Sequence, residues 1–380
     1  MSRDEPRVAV VGAGISGLAV ALDLVTDHEV VVLEQGGIAG DTTSRASGMI
    51  SLPLEPIPNT WVEVAREFFQ ELDGHGTFGF TERETVRLVP EPVPSDAEEW
   101  EGQYCEYLDA TELEARYPRS FADLEDVVGG LVYEGTGYLD VLDYAMTLKW
   151  SAEQAGAAIY RDHAVTDLRV EEGRVAGVET EYGSIDADHV VWATGWRARE
   201  QLADHVALPV RPLRWNAVVL EPASSTPAGM PLGSDPATRT YWRPTPQGDL
   251  LVGGNEHLVD DPEGTPPAVA PDFREVVTSE VAPRLTGFED ARIRREDCCP
   301  TADSASPDGL PIVDAPPEGP DGLVVVTGLH GRGVMLSPVT ARVVRSLVTG
   351  EPAPFTTADL RLARFEDRSA DFEYRSHWEA

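Results

Sequence analysis

Residues 8–34 read VAVVGAGISGLAVALDLVTDHEVVVLE, and the apolar period changes twice along them. VAVV is an unbroken apolar run of strand length, the pattern of a strand covered on both faces. Residues 15–26 follow with the composition of a helix, and HEVVVLE returns to a strand that ends on Glu34. Residues 8–25 are long enough to cross a bilayer. Three glycines and Asp23 interrupt them, however, and a second apolar run follows at once, spacing that a membrane helix does not explain. A nucleotide-binding βαβ unit does explain it. Gly12, Gly14 and Gly17 form G-x-G-x-x-G: the first allows the tight turn, the second lets backbone approach a pyrophosphate, and the third lets the helix pack on the sheet. The helix N-terminus is an anion site. Glu34 can accept hydrogen bonds from ribose hydroxyls, which disfavours NADP but does not choose between NAD and FAD.

Farther along, TWVEVAREFFQELD (60–73) has helical spacing, and residues 85–103, rich in proline and acids, read as a surface loop. LDATELEARYP predicts a short capped helix ended by Pro118, and DVLDYAMTLKWSAEQAG an amphipathic helix. From 158 to 195 apolar and polar residues alternate, with turns at Glu172-Gly173 and Tyr182-Gly183: a β-meander returning to a buried strand, HVVWATG. Residues 213–256 hold further strands, including DLLVGG, and 260–272 read as a proline-rich linker. The opening theme recurs at 322–349 as a strand (GLVVVTG), a glycine loop (LHGRG) and a helix predicted to begin near Ser337-Pro338.

Composition narrows the partners. A formal net charge of −36 over 380 residues repels nucleic acid and anionic lipid. Lys149 is the only lysine; acid excess with arginine as nearly the sole cation resembles the composition of proteins that work in molar salt, where charges are screened within about 3 Å, the alternative being an ordinary acidic protein, which normally carries many lysines. Cys105, Cys298 and Cys299 form no disulfide framework, which suits a reducing cytoplasm, and no cysteine or histidine cluster suggests a metal. MSRDEPR at the start is not a signal peptide, and no integral membrane segment is expected.

Read in order, VVGAGISGLAVALDL with Glu34, DTTSRASGM, LDATELEARYP, GYLD, HVVWATG, YWRPTPQGDLLVGG, SPDGLPIVD and GLVVVTGLHGRGVMLSP resemble the FAD-dependent oxidoreductases that include D-amino-acid, glycine and sarcosine oxidases. The resemblance covers nearly the whole chain. It implies an α/β fold with a discontinuous Rossmann-like FAD domain carrying a β-meander (1–50, 137–205, 309–355). It also implies an α+β substrate domain with a mostly antiparallel sheet (51–136, 206–308) and a C-terminal tail (356–380). FAD is expected extended and non-covalently held, against Gly12, Gly14, Ile15, Ser16, Gly17, Glu34, Gln35, Thr42, Thr43, Ser44, Arg45, Ser47, Gly48, Met49, Val165, Ala193, Thr194, Gly195, Trp196, Gly331, Arg332, Gly333, Val334 and Met335.

The implied reaction is oxidation of a C–N bond in a small amine or amino acid, with oxygen or an electron carrier as acceptor. A 2-hydroxy acid is the alternative substrate, and a non-catalytic FAD protein the alternative role. The flavin brings the hydride chemistry and the protein brings position and electrostatics. Amides of Gly331-Arg332-Gly333 and of the helix near Ser337 are expected to face the charge that reduction leaves on the ring. A substrate carboxylate wants an arginine, for which Arg45, Arg243 and Arg332 are candidates. Tyr241 matches a substrate-contacting tyrosine of the family, and His330 sits in the glycine loop. The chain departs from the family at Met335, where sarcosine oxidase has a lysine, and in CCPTADSASPDG, which lacks the arginine found there in glycine oxidase. Cys298 and Cys299 are expected to be inert thiols, and Trp192 and Trp196 core residues.

Overall fold

A computed structural model of the 380-residue chain describes residues 6–54, 57–90, 103–117, 121–223, 226–227, 229–265, 268–296, 302–374, 376 and 378. Pro118, Cys298 and Cys299, named above, lie outside the described residues, as do 91–102 and 266–267 of the expected loop and linker.

The strand Arg7–Val11 pairs in parallel with Glu29–Leu33 and His189–Trp192. Leu323–Thr327 and Ala158–Tyr160 extend this sheet in parallel, and Ile312–Asp314 closes one edge antiparallel. Side chains along a strand alternate between faces, and here both faces are covered. Val8, Val10, Val30 and Val32 pack with residues of the helices Ile15–Leu24, Val141–Gln154 and Gly333–Thr349. Ala9, Val11, Val31 and Leu33 pack with Leu168, Val175 and Val178 of the meander Val165–Glu171, Arg174–Thr180, Gly183–Asp186. Cover on both faces is why these strands are apolar at every position.

Among the described residues the second large sheet has nine strands and is antiparallel except where Leu232–Asp235 meets Thr85–Pro90. Its middle is the ladder Arg211–Glu221, Leu250–Leu258, Thr240–Pro244. One face packs on the helix Pro271–Val276 and its continuation, through Phe273, Val277 and Val281. Among the described residues no helix is long and apolar enough to cross a membrane.

Two expectations are corrected. The proline- and acid-rich stretch from residue 85 begins as a strand, Thr85–Pro90, because cross-strand pairing with Val127–Tyr133 buries Val86, Leu88 and Val89. The last long helix begins at Gly333, four residues before Ser337. Pro338 therefore lies inside it and has no N–H for the carbonyl of Val334. The Ser337 hydroxyl donates to that carbonyl instead (2.7 Å) and lies 2.8 Å from the buried Tyr144 hydroxyl. Ser-Pro resembles a helix start in sequence, but here it repairs a helix interior.

Candidate functional site

Two glycines fix the turn after the first strand. Gly12 has φ +102°, and a Cβ there would sit 2.6 Å from the Ala193 carbonyl oxygen; a Cβ on Gly17 would sit 2.0 Å from the Gly12 carbonyl oxygen. Gly14 is different: among the described residues outside its own chain neighbours, the only atom within 4 Å of its would-be Cβ is Thr43 Oγ1, at 3.4 Å. Gly12 and Gly17 thus hold backbone against backbone, while Gly14 stays open to the space beyond. Glu34 completes the turn by accepting the amides of Ala13 and Gly36, each at 2.9 Å, one on each carboxylate oxygen. Each oxygen keeps a further lone pair.

That space is a cavity of about 250 Å³. Its wall begins with Gly12, Gly14, Ile15, Ser16, Glu34 and Gln35, passes Thr42, Thr43, Arg45, Ser47 and Met49, then Val165 and Ala193–Trp196. It ends at Tyr241 and at the loop and helix start His330, Gly331, Arg332, Gly333, Val334 and Met335. Of the residues singled out from sequence, Gly17, Ser44, Gly48 and Arg243 are not in this wall. Gly17 serves helix packing. Gly48 lets its loop lie on the Leu139 carbonyl, where a Cβ would come within 2.2 Å. Arg243 donates Nε to the Ser47 carbonyl and Nη1 to that of Pro244 (3.1 Å), and lies over the Tyr138 ring. Burial lowers its pKa.

The glycine loop also differs from expectation. The Gly331 amide donates to Asp303 Oδ2 and the Arg332 amide to the Leu329 carbonyl (2.8 Å). Arg332 is the N-cap residue of the helix, so the amides of Gly333, Val334 and Met335 form its first turn and have no carbonyl within the helix to bond. The positive end of the helix therefore meets the cavity four residues earlier than the Ser-Pro motif suggested. His330 adopts φ +53° and is buried, its ring stacked on Tyr374 (5.3 Å, 17°).

Tyr241 pairs across the sheet with Gly253, where a Cβ would lie 2.3 Å from the tyrosine Cζ. Glycine in DLLVGG lets the ring lie against the sheet. The Trp215 ring meets it edge-on at 6.3 Å. Burial raises the Tyr241 phenol above the usual tyrosine range.

The sequence did not single out Asp41, Arg197, Trp215, Asp303 or Trp378 for the cavity wall. Arg197 bridges Asp41 (2.6 Å) and Glu263 (3.0 Å). Burial raises the Asp303 carboxyl, partly offset by the amides of Ser304 and Gly331 and by the Arg332 charge. The signal for Trp215 was its place in an alternating strand, RPLRWNAVVLE; Trp378 sits in the tail and gave none.

A family model described as FAD dependent oxidoreductase matches residues 7–347. Glycine oxidase of Pseudomonas putida is 27% identical over 378 residues, covering 92% of this chain and 97% of its own. D-amino acid dehydrogenase of Cereibacter sphaeroides is 29% identical over 266 residues, covering 68% and 58%. Among solved structures, glycine oxidase from Geobacillus kaustophilus superposes with a TM-score of 0.79 at 24% identity, covering 95% of this chain and all of that one. L-proline dehydrogenase from P. horikoshii superposes with a TM-score of 0.80 at 19% identity, covering 93% and 96%. The two structural likenesses speak for the fold.

Proposed function

The chain belongs to the DAO family of FAD-dependent oxidoreductases, and on that premise we propose that it oxidises the C–N bond of a small amino acid or secondary amine. The observation that carries the reading is the single cavity that joins Glu34 and the glycine turn to Tyr241, Trp215 and Asp303 of the second sheet. FAD fits the near end: Gly14 leaves a cradle that a side chain would fill, the helix Ile15–Leu24 points its N-terminus there, and Glu34 retains lone pairs for ribose hydroxyls. Bound flavin supplies the hydride acceptor.

The remaining roles belong to the protein. The first amides of the helix Gly333–Thr349 oppose negative charge that builds up in the cavity on reduction. Tyr241 keeps its proton at neutral pH, because burial raises its pKa, and donates it to a substrate oxygen. Trp215 and Tyr241 together exclude water from the far end. Arg332, one nitrogen of which is held by the Gly309 carbonyl (2.6 Å), is the guanidinium we assign to a substrate carboxylate. Arg243 is set aside because Ser47 and Pro244 hold its guanidinium. The resulting imine leaves and is hydrolysed by water; oxygen or an electron carrier takes the electrons.

The two large sheets support the division into a discontinuous FAD domain and a substrate domain. The net charge of −36 with a single lysine supports work in molar salt, and the sequence reading keeps the protein in the cytoplasm. The test is anaerobic bleaching of the flavin band in molar KCl by a pool of amino acids and N-methyl amines, with a 2-hydroxy-acid pool in parallel. Bleaching by the first pool is expected; bleaching by the second alone overturns the C–N reading.

A further inference from the structure

The cavity wall includes Trp378, which belongs to neither large sheet but to the C-terminal segment. The segment is fastened at more than one point: Arg211 donates to the Phe372 carbonyl (3.4 Å), and Glu256 holds the residues beyond it. Glu256 is a buried carboxylate, and three residues of the segment donate to it: the Tyr374 hydroxyl (2.9 Å) and the Ser376 hydroxyl on Oε1, and the Trp378 indole N–H (3.0 Å) on Oε2. Three donors from five consecutive residues converging on one carboxylate fix a chain segment far better than apolar contact alone, because hydrogen bonds to a charged acceptor are the strong ones. Tyr374 adds the stack on His330, itself a wall residue.

Glu256 is presented by an irregularity in the sheet. Arg214 pairs with His257 and Asn216 with Gly254, so Asn255 and Glu256 together oppose Trp215. Asn255 takes φ +48°. A bulge of this kind re-aims a side chain next to a site. It lies opposite Trp215, the ring that meets Tyr241.

We propose that Trp378, held with Tyr374 and Ser376 on Glu256, is the wall that sets substrate size, with Trp378 the specificity-determining residue and Glu256 the positioning residue that holds it. The inference rests on the amine-oxidising reading for the nature of the substrate. Small amino acids fit inside the closed wall; an aromatic side chain meets the indole.

The test uses the full FAD-loaded chain, Trp378→Ala, a chain ended after Ser369, and Glu256→Leu with Glu256→Gln beside it. Glycine and DL-phenylalanine are titrated anaerobically against the flavin band, and hydrogen exchange is followed over residues 366–378. The ratio of phenylalanine to glycine affinity is expected to rise about tenfold or more in Trp378→Ala and in the shortened chain, the scale of removing a wall from an apolar pocket. Glu256→Leu is expected to speed exchange of the segment and raise the same ratio. Glu256→Gln, which keeps one acceptor oxygen, falls between. An affinity ratio within twofold of wild type in both Trp378→Ala and the shortened chain overturns the wall. Unchanged exchange in Glu256→Leu overturns the anchor. If neither amino acid perturbs the flavin band in any form, the amine reading has failed instead. Iodide quenching of the flavin fluorescence then decides the wall: a rise on shortening the chain supports it and no change overturns it.

Discussion

Gly253→Ala isolates the position of Tyr241 from the rest of the molecule. The backbone of Gly253 lies in a regular ladder, opposite Tyr241 and Ala217, and its φ is not in the left-handed region, so alanine is tolerated there. The added Cβ would lie 2.3 Å from Tyr241 Cζ and 2.3 Å from its hydroxyl oxygen. Carbon atoms in contact sit about 3.5–4.0 Å apart, so the ring must withdraw by about 1.2–1.7 Å. Those atoms are the far end of a side chain, which can swing, so the stability cost should stay under about 1.5 kcal/mol. A displacement of about 1 Å of a group that positions substrate costs about 100-fold in rate, or about 2.7 kcal/mol. The expected result is a kcat/KM about 100-fold below wild type, measured by anaerobic stopped-flow reduction with the best substrate of the panel. FAD affinity and urea midpoint should be nearly unchanged. A folded Gly253→Ala protein with wild-type kcat/KM would show that Tyr241 does not touch the substrate.

Glu34→Ala removes the acceptor shared by the Ala13 and Gly36 amides, which the proposed function also offers to the ribose, and should weaken FAD binding about 10- to 100-fold, read by flavin fluorescence titration. Ser337→Ala leaves the Val334 carbonyl and the buried Tyr144 hydroxyl without their shared partner; a loss of about 1–3 kcal/mol in urea unfolding is expected, and no loss would refute the repair of the Pro338 gap. The Tyr241 phenol is raised in the folded state, so the stability it contributes is present below the ordinary tyrosine pKa of about 10 and is lost as pH rises through the raised value. Ultraviolet difference titration of wild type against Tyr241→Phe should therefore assign to Tyr241 a midpoint above about 10. With a net charge of −36, thermal stability should rise from low salt to molar KCl, and a flat or falling melting temperature would remove the salt-adapted reading.

How much was legible in sequence depended on distance along the chain. The opening βαβ unit was readable because strand, glycines, helix and Glu34 follow one another in a fixed motif, and the contacts that explain them, Gly17 on Gly12 and Glu34 on Ala13, close within that single unit. The helix Gly333–Thr349 was placed four residues late because Ser337-Pro338 carries a start signal whose hydrogen bonds are in fact used inside the helix. Thr85–Pro90 looked like loop because the prolines and acids that follow it in the sequence outweigh its own three apolar residues, and only pairing with Val127–Tyr133 reveals the strand. Trp378 was beyond reach: its partner Glu256 stands 122 residues away and is aimed by a bulge that no local pattern announces. Sequence could not show that the Ser47 and Pro244 carbonyls receive the Arg243 guanidinium while the Gly309 carbonyl receives one nitrogen of Arg332.

The stack of Gly17 on Gly12, and of Gly12 on Ala193, bears on how this chain can change over generations. Most crowded positions in a protein offer a second-site remedy, in which a bulky newcomer is accommodated when a neighbouring side chain is trimmed. Here the neighbours at 2.0 Å and 2.6 Å are carbonyl oxygens of the main chain, and there is nothing to trim. A suppressor of Gly12→Ala or Gly17→Ala would have to shift the whole helix Ile15–Leu24 off the sheet, and with it the Ile15 amide that Thr43 receives at 3.1 Å. In a selection for revertants, these two positions should return only true reversion to glycine.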